Sequence, residues 1–316
     1  MILYRFIMNY ADTDISIDAS ILQKIEDKKQ RLDRLRPLPK DAVKHLLEDM
    51  RLRHTYNSNA IEGNTLTLQE TKLVLEEGIT IGGKPLKDHI EARNNADAFD
   101  FIVQLVQHKK PFSQDIIQHI HEIVTKSLLK DAGKYRTGNV RITGSSITPP
   151  SYTKIISLMD DYINTIKKLK IHPLKKATFI HYRLVWIHPF FDGNGRVARL
   201  VMNLYLMQHG YPPIILKQEQ RKTYYNMLHQ ADNGNISPLA EFITKAMNES
   251  LQLYLSVFFD DEHLIPLKEL AQHTPYSQEY LSLRARQGKL DSVKLEHTWY
   301  SSMNVLNEYI KKIEHS

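Results

Sequence analysis

Apolar residues recur three or four positions apart along most of this 316-residue chain. The recurrence is clear at Ala177, Ile180 and Leu184, and again at Ile21 and Ile25. This spacing matches the 3.6-residue turn of an α-helix and places the apolar side chains on one face. A hydrophobic content of 42% is enough for a sizeable core at this length. The sequence therefore predicts a mainly α-helical folded protein.

Two stretches depart from the helical pattern. Between Gly133 and Pro150, the apolar residues Val140, Ile142 and Ile147 lie among glycines and serines, which predicts a short β-hairpin. After residue 264 the pattern changes to short helices with a strand pair predicted within 290–300. The tail is therefore predicted to be a separate small module.

Composition limits the classes of function. The net charge of +6 is spread along the chain, so it permits anionic ligands without indicating nucleic acid by itself. The absence of cysteine excludes disulfides and thiolate metal sites. No signal peptide pattern and no run as long as a membrane span are found, so we predict a cytoplasmic protein without a membrane partner.

One segment, residues 188–199, carries most of the chemistry. Helical patterning runs up to Ile187, breaks at His188-Pro189 and resumes after Gly195, which predicts a helix, a tight loop and a second helix. The amides of Gly193, Asn194 and Gly195 then lie at the N-terminus of the second helix, where the helix dipole and unpaired N–H groups favour an anion such as phosphate.

The side chains of the same segment add reactive groups. Arg196 and Arg199 are three positions apart and extend the cationic surface of the first helical turn. Asp192 is a hard ligand suited to Mg²⁺ or Mn²⁺. His188, with an ordinary pKa near neutrality, is a candidate general base. The combination predicts a nucleotide polyphosphate site beside a group that activates a hydroxyl.

The segment resembles, without a gap, the Fic family signature His-x-Phe-x-(Asp/Glu)-Gly-Asn-Gly-Arg-x-x-Arg. Similarity extends over roughly 51–247. Known members mostly transfer AMP from ATP to a protein hydroxyl. The resemblance implies a Fic-type helical core with a short β-hairpin flap that holds the target, here the flap segment at 133–150.

Residue roles follow from this resemblance. His188 is expected to deprotonate a Ser, Thr or Tyr of the target, and Asp192 to hold the metal. The Gly193-Asn194-Gly195 loop is expected to bind the α- and β-phosphates, with Arg196 beside them. Arg199 is expected to bind the γ-phosphate. The resemblance also implies that Tyr224 and Tyr225 line the adenine side of the nucleotide site, for which ordinary helix packing is an equal alternative. It implies contacts with the target protein from the flap residues Arg141, Ile142, Thr143 and Gly144.

A second motif lies far upstream, in the segment 58–64. It resembles the inhibitory pattern (Ser/Thr)-x-x-x-Glu-(Gly/Asn) of the second Fic class, and the alternative is an ordinary surface helix end. Ser58 and Glu62 are four apart and share one face of a helix predicted at about 51–64. The resemblance implies that Glu62 pairs with Arg199 and takes the space of the γ-phosphate. In some relatives this glutamate orients water for the removal of AMP.

The tail, residues 264–316, resembles winged-helix modules of the excisionase type. DNA binding needs a basic reading face, yet the lysines and arginines of the tail are nearly balanced by acidic residues. We therefore favour target recruitment or a structural role over DNA. A further cluster, His119, His121 and Glu122, resembles a metal site, but positions 119 and 121 of a helix point apart, so packing or surface roles are predicted.

Together these patterns predict three parts, a helical N-terminal region with the inhibitory helix (1–110), a Fic core (111–250) and a winged helix-turn-helix domain (264–316). The predicted function is an autoinhibited, Mg²⁺-dependent protein adenylyltransferase that uses ATP. Its predicted partners are a hydroxyl-bearing target protein, itself included, and a second copy in a homodimer. The alternatives are a DNA-binding regulator with a nucleotide-sensing site, or a Fic enzyme that removes AMP or transfers another phosphoryl-linked group.

Overall fold

The computed structural model describes residues 15–142, 147–295 and 297–314. Its helices are α1 (Ala19–Asp33), α2 (Lys40–Ile61), α3 (Leu68–Glu76), α4 (Leu86–Gln107), α5 (Gln114–Thr125), α6 (Ile155–Lys168), α7 (Pro173–Ile187), α8 (Asn194–Gln208), α9 (Arg221–Asp232), α10 (Ser237–Phe258), α11 (Leu267–Leu270), α12 (Gln278–Arg286) and α13 (Met303–Glu314). The strands are β1 (Ile265–Pro266), β2 (Val293–Leu295) and β3 (Thr298–Ser301). The prediction of a mainly α-helical protein is confirmed.

The chain divides into two compact units by contact. The first holds the described residues up to Asp18 together with Leu47–Thr244, and the second holds Ala19–Leu46 together with residues 245–314. This grouping follows contacts alone, and the three-part domain division stays a prediction.

Helix α8 is the centre of the first unit. It packs against α7, α4 and α5, and its apolar residues Val197, Leu200 and Leu204 are completely buried. A helix that is apolar around most of its circumference belongs in the interior, because only packing on several sides removes its surface from water. The N-terminus of this central helix is the position of the candidate site.

The flap segment differs from the predicted hairpin. Its described parts, 133–142 and 147–150, contain no β-strand, and Thr143 and Gly144 lie outside the described residues. The main-chain carbonyls of Gly138 and Pro150 instead accept hydrogen bonds from the guanidinium of Arg136. One side chain therefore gives two main-chain carbonyls of the flap segment a hydrogen-bond donor, without the backbone pairing of a strand ladder.

The second unit contains a small three-stranded sheet. The predicted pair within 290–300 is formed by β2 and β3, and the sheet order β1-β3-β2 adds a short strand that the sequence pattern did not show. Helices α11, α12 and α13 enclose an apolar cluster that includes Leu270, Leu281 and Leu306. The connection from β1 through α11 and α12 to the β2–β3 pair is therefore a helix pair followed by a hairpin.

A buried ion pair lies in the second unit. Lys28 donates to Asp291 over 2.8 Å and to the side-chain oxygens of Asn248 and Gln252. Burial by itself raises the pKa of Asp291, but Lys28 and Lys24 outweigh it and lower the pKa to about 2. Among the described residues no helix is both long and apolar enough to cross a membrane.

Candidate active site

The loop between α7 and α8 begins with a left-handed residue. His188 ends α7 with φ 51° and ψ 58°, and its backbone N–H still donates to the carbonyl of Leu184. Pro189 then stops the helix, because proline has no N–H to continue it and disfavours α-helical backbone in the residue before it. The break predicted from the His-Pro pair is thus the point at which the imidazole leaves the helix.

Asn194 closes the loop. Its side chain accepts from the backbone N–H of Phe190 over 3.0 Å and donates to the carbonyl of the same residue over 2.9 Å. With 2% of its surface exposed, Asn194 has both amide atoms satisfied inside the protein. This double contact holds the loop in one shape at the N-terminus of α8.

The two glycines, Gly193 and Gly195, have different surroundings. Gly193 precedes α8 with φ 78°, and a Cβ there would lie 3.1 Å from Cγ2 of Thr125. Gly195 has ordinary backbone angles, but a Cβ there would lie 3.2 Å from a guanidinium nitrogen of Arg199 and closer still to the carboxylate of Glu62. The first glycine supplies a backbone conformation and the second supplies space.

His188 has the geometry of a neutral base. Its Nδ1 lies 3.3 Å from the carbonyl of Val185. Because a carbonyl only accepts, the proton belongs on Nδ1, and Nε2 is left with a lone pair. Burial lowers the pKa of His188, and the charge of Arg136 lowers it further against the opposing effect of Glu62 and Asp192. The imidazole is therefore uncharged at neutral pH.

Arg199 is bound by the upstream motif. Its Nε donates to the hydroxyl of Ser58 over 2.9 Å, and one terminal nitrogen donates to the carbonyl of Ser58 and to the carboxylate of Glu62 over 2.7 Å. Burial alone would lower the pKa of this guanidinium, which is only 2% exposed, but Glu62 and Tyr224 outweigh it and raise the pKa. Ser58 and Glu62 thus both contact Arg199, the residue that the resemblance implies as the partner of Glu62.

The end of α2 is held in place by a residue that sequence reasoning did not assign. Arg221 donates from Nε to the carbonyl of Ile61 over 2.6 Å, and its guanidinium lies 5.2 Å from the ring centre of Tyr225. The carbonyl is one of those left unpaired at the end of a helix. Helix α2 therefore presents Glu62 to Arg199 from a fixed terminus.

Arg196 also has an acidic partner, Glu91 of α4. The two side chains are 3.1 Å apart and both are buried, at 3% and 7% exposure. Asn64, just beyond the inhibitory motif, donates to the other oxygen of Glu91 over 3.0 Å. No motif marks Glu91 in the sequence, because its role depends on the packing of α4 against α8.

Asp192 is the one carboxylate of the loop. Its side chain is 55% exposed, and Oδ1 accepts from the N–H of Gly193 and lies 3.7 Å from Arg196. The described residues contain no group of three histidine or acidic side chains that could bind a metal by themselves. A single exposed carboxylate fits Mg²⁺ that takes its other oxygens from nucleotide phosphates and water, as this ion commonly does.

His121 supports the loop from α5. Its Nδ1 accepts from the N–H of Gly133, so Nε2 donates to the carbonyl of Asp192 over 3.1 Å. The ring stacks on Phe190 at 3.7 Å, and burial lowers its pKa to about 4. His119 lies at the surface and contacts Glu122. The pair of histidines does not converge on one point.

The remaining predicted residues lie in different environments. Tyr224 is 2% exposed, and its hydroxyl pairs with His181 over 2.8 Å, whereas Tyr225 is 41% exposed. Tyr225 is therefore the more accessible of the two for an adenine ring. In the flap segment Arg141 is exposed and Ile142 half-buried.

Comparison with known proteins places this geometry in a family. The sequence profile of the Fic/DOC family matches residues 111–206. The protein adenylyltransferase Fic of Nematostella vectensis is 34% identical over 76% of this chain and 57% of its own length. Protein adenylyltransferase fic-1 of Caenorhabditis elegans is 33% identical over 76% of this chain and 48% of its own length. The chain thus spans about half the length of the curated relatives it matches.

Solved structures give the same result. Fic-1 from C. elegans superposes with a TM-score of 0.68 at 32% identity, covering 75% of this chain and 72% of that one. A Fic domain-containing signaling protein from Bacteroides thetaiotaomicron has a TM-score of 0.68 at 30% identity, covering 75% of this chain and 97% of that one. Since both structures are at least 30% identical to this chain and are covered over 72% and 97% of their own length, this chain belongs to the Fic/DOC family.

Proposed function

We propose that this chain is a protein adenylyltransferase that transfers AMP from ATP to a Ser, Thr or Tyr hydroxyl of a target protein. The observation that carries the proposal is the position of the Glu62 carboxylate, which lies against Gly195 at the N-terminus of α8 and on the guanidinium of Arg199. A carboxylate in this position supports the proposal that the site binds an anionic group such as a nucleotide phosphate. Relatives at about one-third identity are named protein adenylyltransferases, which supports the proposal.

The chemistry proposed for each residue is the one that the Fic resemblance implies, and the contacts described above are compatible with it. Nε2 of His188 accepts the proton of the target hydroxyl, whose oxygen attacks the α-phosphorus of ATP. The bond from the α-phosphorus to the bridging oxygen breaks and pyrophosphate leaves. The amides at the start of α8 and the cationic Arg196 stabilise negative charge on the phosphates. Mg²⁺ held by Asp192, when bound, neutralises phosphate charge.

The inhibitory part of the proposal concerns Arg199. The γ-phosphate and Glu62 compete for the same guanidinium, so ATP binds without the alignment that transfer needs. In this proposal α2 is an inhibitory helix of the second Fic class and the purified protein is nearly inactive. The contacts of Ser58 and Glu62 with Arg199 support it.

Transfer of ³²P from α-labelled ATP tests both parts. We expect weak labelling by the wild type, strong labelling of added protein or of the chain itself by Glu62→Gly, and none by Glu62→Gly with His188→Ala. If Glu62→Gly gives no more labelling than wild type, inhibition by Glu62 is contradicted. If the double variant labels as strongly as Glu62→Gly, the role of His188 as general base is contradicted.

The direction and the transferred group need a separate comparison. Label from α-labelled but not γ-labelled ATP in the Glu62→Gly background indicates AMP transfer, whereas label from γ-labelled ATP alone indicates phosphate transfer. Loss of label from pre-modified protein on addition of wild type indicates AMP removal.

For the second unit we propose a winged-helix module at 264–316, which the strand order β1-β3-β2 around two short helices supports. Target recruitment or a structural role remains our preferred proposal. DNA binding is the alternative, and a salt-sensitive shift of duplex DNA without AMP transfer favours it. Homodimer formation and a cytoplasmic location also remain proposals from the sequence.

A further inference from the structure

Arg136 makes an unusual set of contacts beside the candidate base. Its side chain donates from Nε to the carbonyl of His188 over 2.8 Å, from one terminal nitrogen to Gly138 over 2.8 Å, and from the other to Pro150. Its backbone N–H donates to the carbonyl of Pro189 over 2.9 Å. With 2% of its surface exposed, Arg136 is thus bonded to the active-site loop and to both ends of the loop at 138–150.

The acceptors are main-chain carbonyls from three separate places in the sequence. Only a planar guanidinium offers donors in several fixed directions at once, whereas a lysine ammonium presents its donors from a single nitrogen. The cation is therefore stabilised by carbonyl dipoles and contributes its charge to the surroundings of His188.

The contact with His188 bears on the orientation of its ring. A non-glycine residue with positive φ is strained and persists only where its surroundings determine it. The His188 carbonyl is held by Arg136, and its N–H is held by Leu184. These two bonds hold the main chain on both sides of the Cα from which the imidazole projects.

We propose that Arg136 is a positioning residue that couples the flap segment to His188, so that the conformation of the target-holding loop and the orientation of the base are set together. This inference rests on the proposed function for its meaning in catalysis. Of the predicted target contacts, Arg141 and Ile142 are described by the structure, and in sequence they lie between the two carbonyls that Arg136 binds. A target that moves this loop therefore acts on the His188 main chain through a single side chain.

The test compares Arg136→Lys and Arg136→Gln in the Glu62→Gly background. Arg286→Lys, an exposed position in the other unit, is the matched control. Hydrogen–deuterium exchange is expected to rise about tenfold or more in peptides covering 137–142 and 147–152 for both variants, because at least one charge-assisted hydrogen bond is lost. Exchange in α8 and binding of Mg²⁺·ATP by calorimetry are expected to stay within about twofold of the parent, because neither the backbone bond from residue 136 to Pro189 nor the Asn194–Phe190 contacts use the Arg136 side chain.

Titration separates positioning from charge. The charged groups that act on His188 are Arg136, Glu62 and Asp192. In the Glu62→Gly background, Arg136→Gln is expected to raise the pKa of His188, read from its imidazole NMR signals, and to move the acidic limb of self-labelling to higher pH. Arg136→Lys keeps the charge, so both readouts are expected to stay near the parent while the labelling rate falls.

Unchanged exchange in the flap peptides, or an equal rise along the whole chain, overturns the proposal. If Glu62→Gly shows no self-labelling at all, the proposed function fails, and exchange and the His188 titration still decide the role of Arg136.

Discussion

Replacing Glu62 has opposite expected effects on the free protein and on its complex with ATP. In the free protein the carboxylate is the anionic partner of Arg199, whose side chain is only 2% exposed. Glu62→Gly leaves that guanidinium with the hydroxyl and carbonyl of Ser58 as acceptors. Glu62→Gln is the matched control, because it keeps the side-chain length and an acceptor oxygen while removing the charge.

The size of the effect follows from the burial of the two partners. Removing one member of a fully buried ion pair costs about 3–5 kcal/mol. Since a third of the Glu62 side chain is exposed, screening by water reduces this to about 2 kcal/mol. For a folded unit of about 200 residues that is a fall in Tm of about 4–8 °C. The free protein should therefore melt in the order wild type, Glu62→Gln, Glu62→Gly, from highest to lowest.

The rise in Tm on binding of Mg²⁺·ATP should follow the opposite order to the Tm of the free proteins. In wild type the γ-phosphate loses its contact with Arg199 unless it displaces the carboxylate of Glu62, so up to about 2 kcal/mol is lost from binding, or up to about thirtyfold in Kd. Glu62→Gly removes this competition, and its Tm should rise more with ATP than that of wild type. AMP has no γ-phosphate, so its shift should be similar in all three proteins.

Differential scanning fluorimetry with ATP, ADP and AMP at equal concentration measures these shifts, and calorimetry gives the Kd values. Equal ATP shifts in wild type and Glu62→Gly would refute the competition for Arg199. A gain for AMP as large as the gain for ATP would place the effect of Glu62 elsewhere in the site.

Three further outcomes are expected. Gly193→Ala should lose more stability than Gly83→Ala by chemical denaturation, because both positions have positive φ but only the first brings a Cβ to 3.1 Å from Thr125; equal losses contradict the contact. Asp291→Asn should lower the free energy of unfolding by about 3 kcal/mol, because buried Lys28 is left without its counter-charge. The double variant Asp291→Leu with Lys28→Met should be more stable than Asp291→Asn and regain most of that loss; a double variant as unstable as Asp291→Asn would show that the ion pair stabilises the unit on balance. Burial lowers the pKa values of His54, His121 and His181 to about 3, 4 and 3, so these side chains stay neutral in the folded state. Because the unfolded chain binds protons at these three positions below pH 6.5, the free energy of unfolding measured with urea should fall there by up to about 4 kcal/mol per pH unit. A flat pH profile contradicts their burial.

Much of the candidate site could be predicted from neighbouring positions in the sequence. The break at His188-Pro189 and the glycine at 193 are consequences of local backbone chemistry, and the structure has both where the pattern indicates. The four-residue spacing of Ser58 and Glu62 predicts a shared helix face, and although α2 ends at Ile61, both side chains contact Arg199. The resemblance to the Fic signature named the partner, which spacing alone could not.

Other features could not be predicted because no local pattern encodes them. Glu91 looks like an ordinary helical glutamate until the packing of α4 brings it to Arg196. Strand β1 has two residues, too few for an alternating pattern, and exists because β3 pairs with it. The expected hairpin at 133–150 has the residue types of a strand pair, yet the guanidinium of Arg136 binds the carbonyls at its ends.

The sequence by itself determined the helical class, the loop at the start of α8 and the reactive groups of that loop, because propensity, proline and glycine act over a few residues. Only the tertiary structure decided that Glu91 faces Arg196 and that Arg136 binds the main chain of His188. The physical reason is burial, because a desolvated guanidinium is costly unless acceptors from the surrounding packed chain bind it. Arg199 binds Ser58 and Glu62, Arg196 pairs with Glu91, and Arg136 binds the main chain of His188.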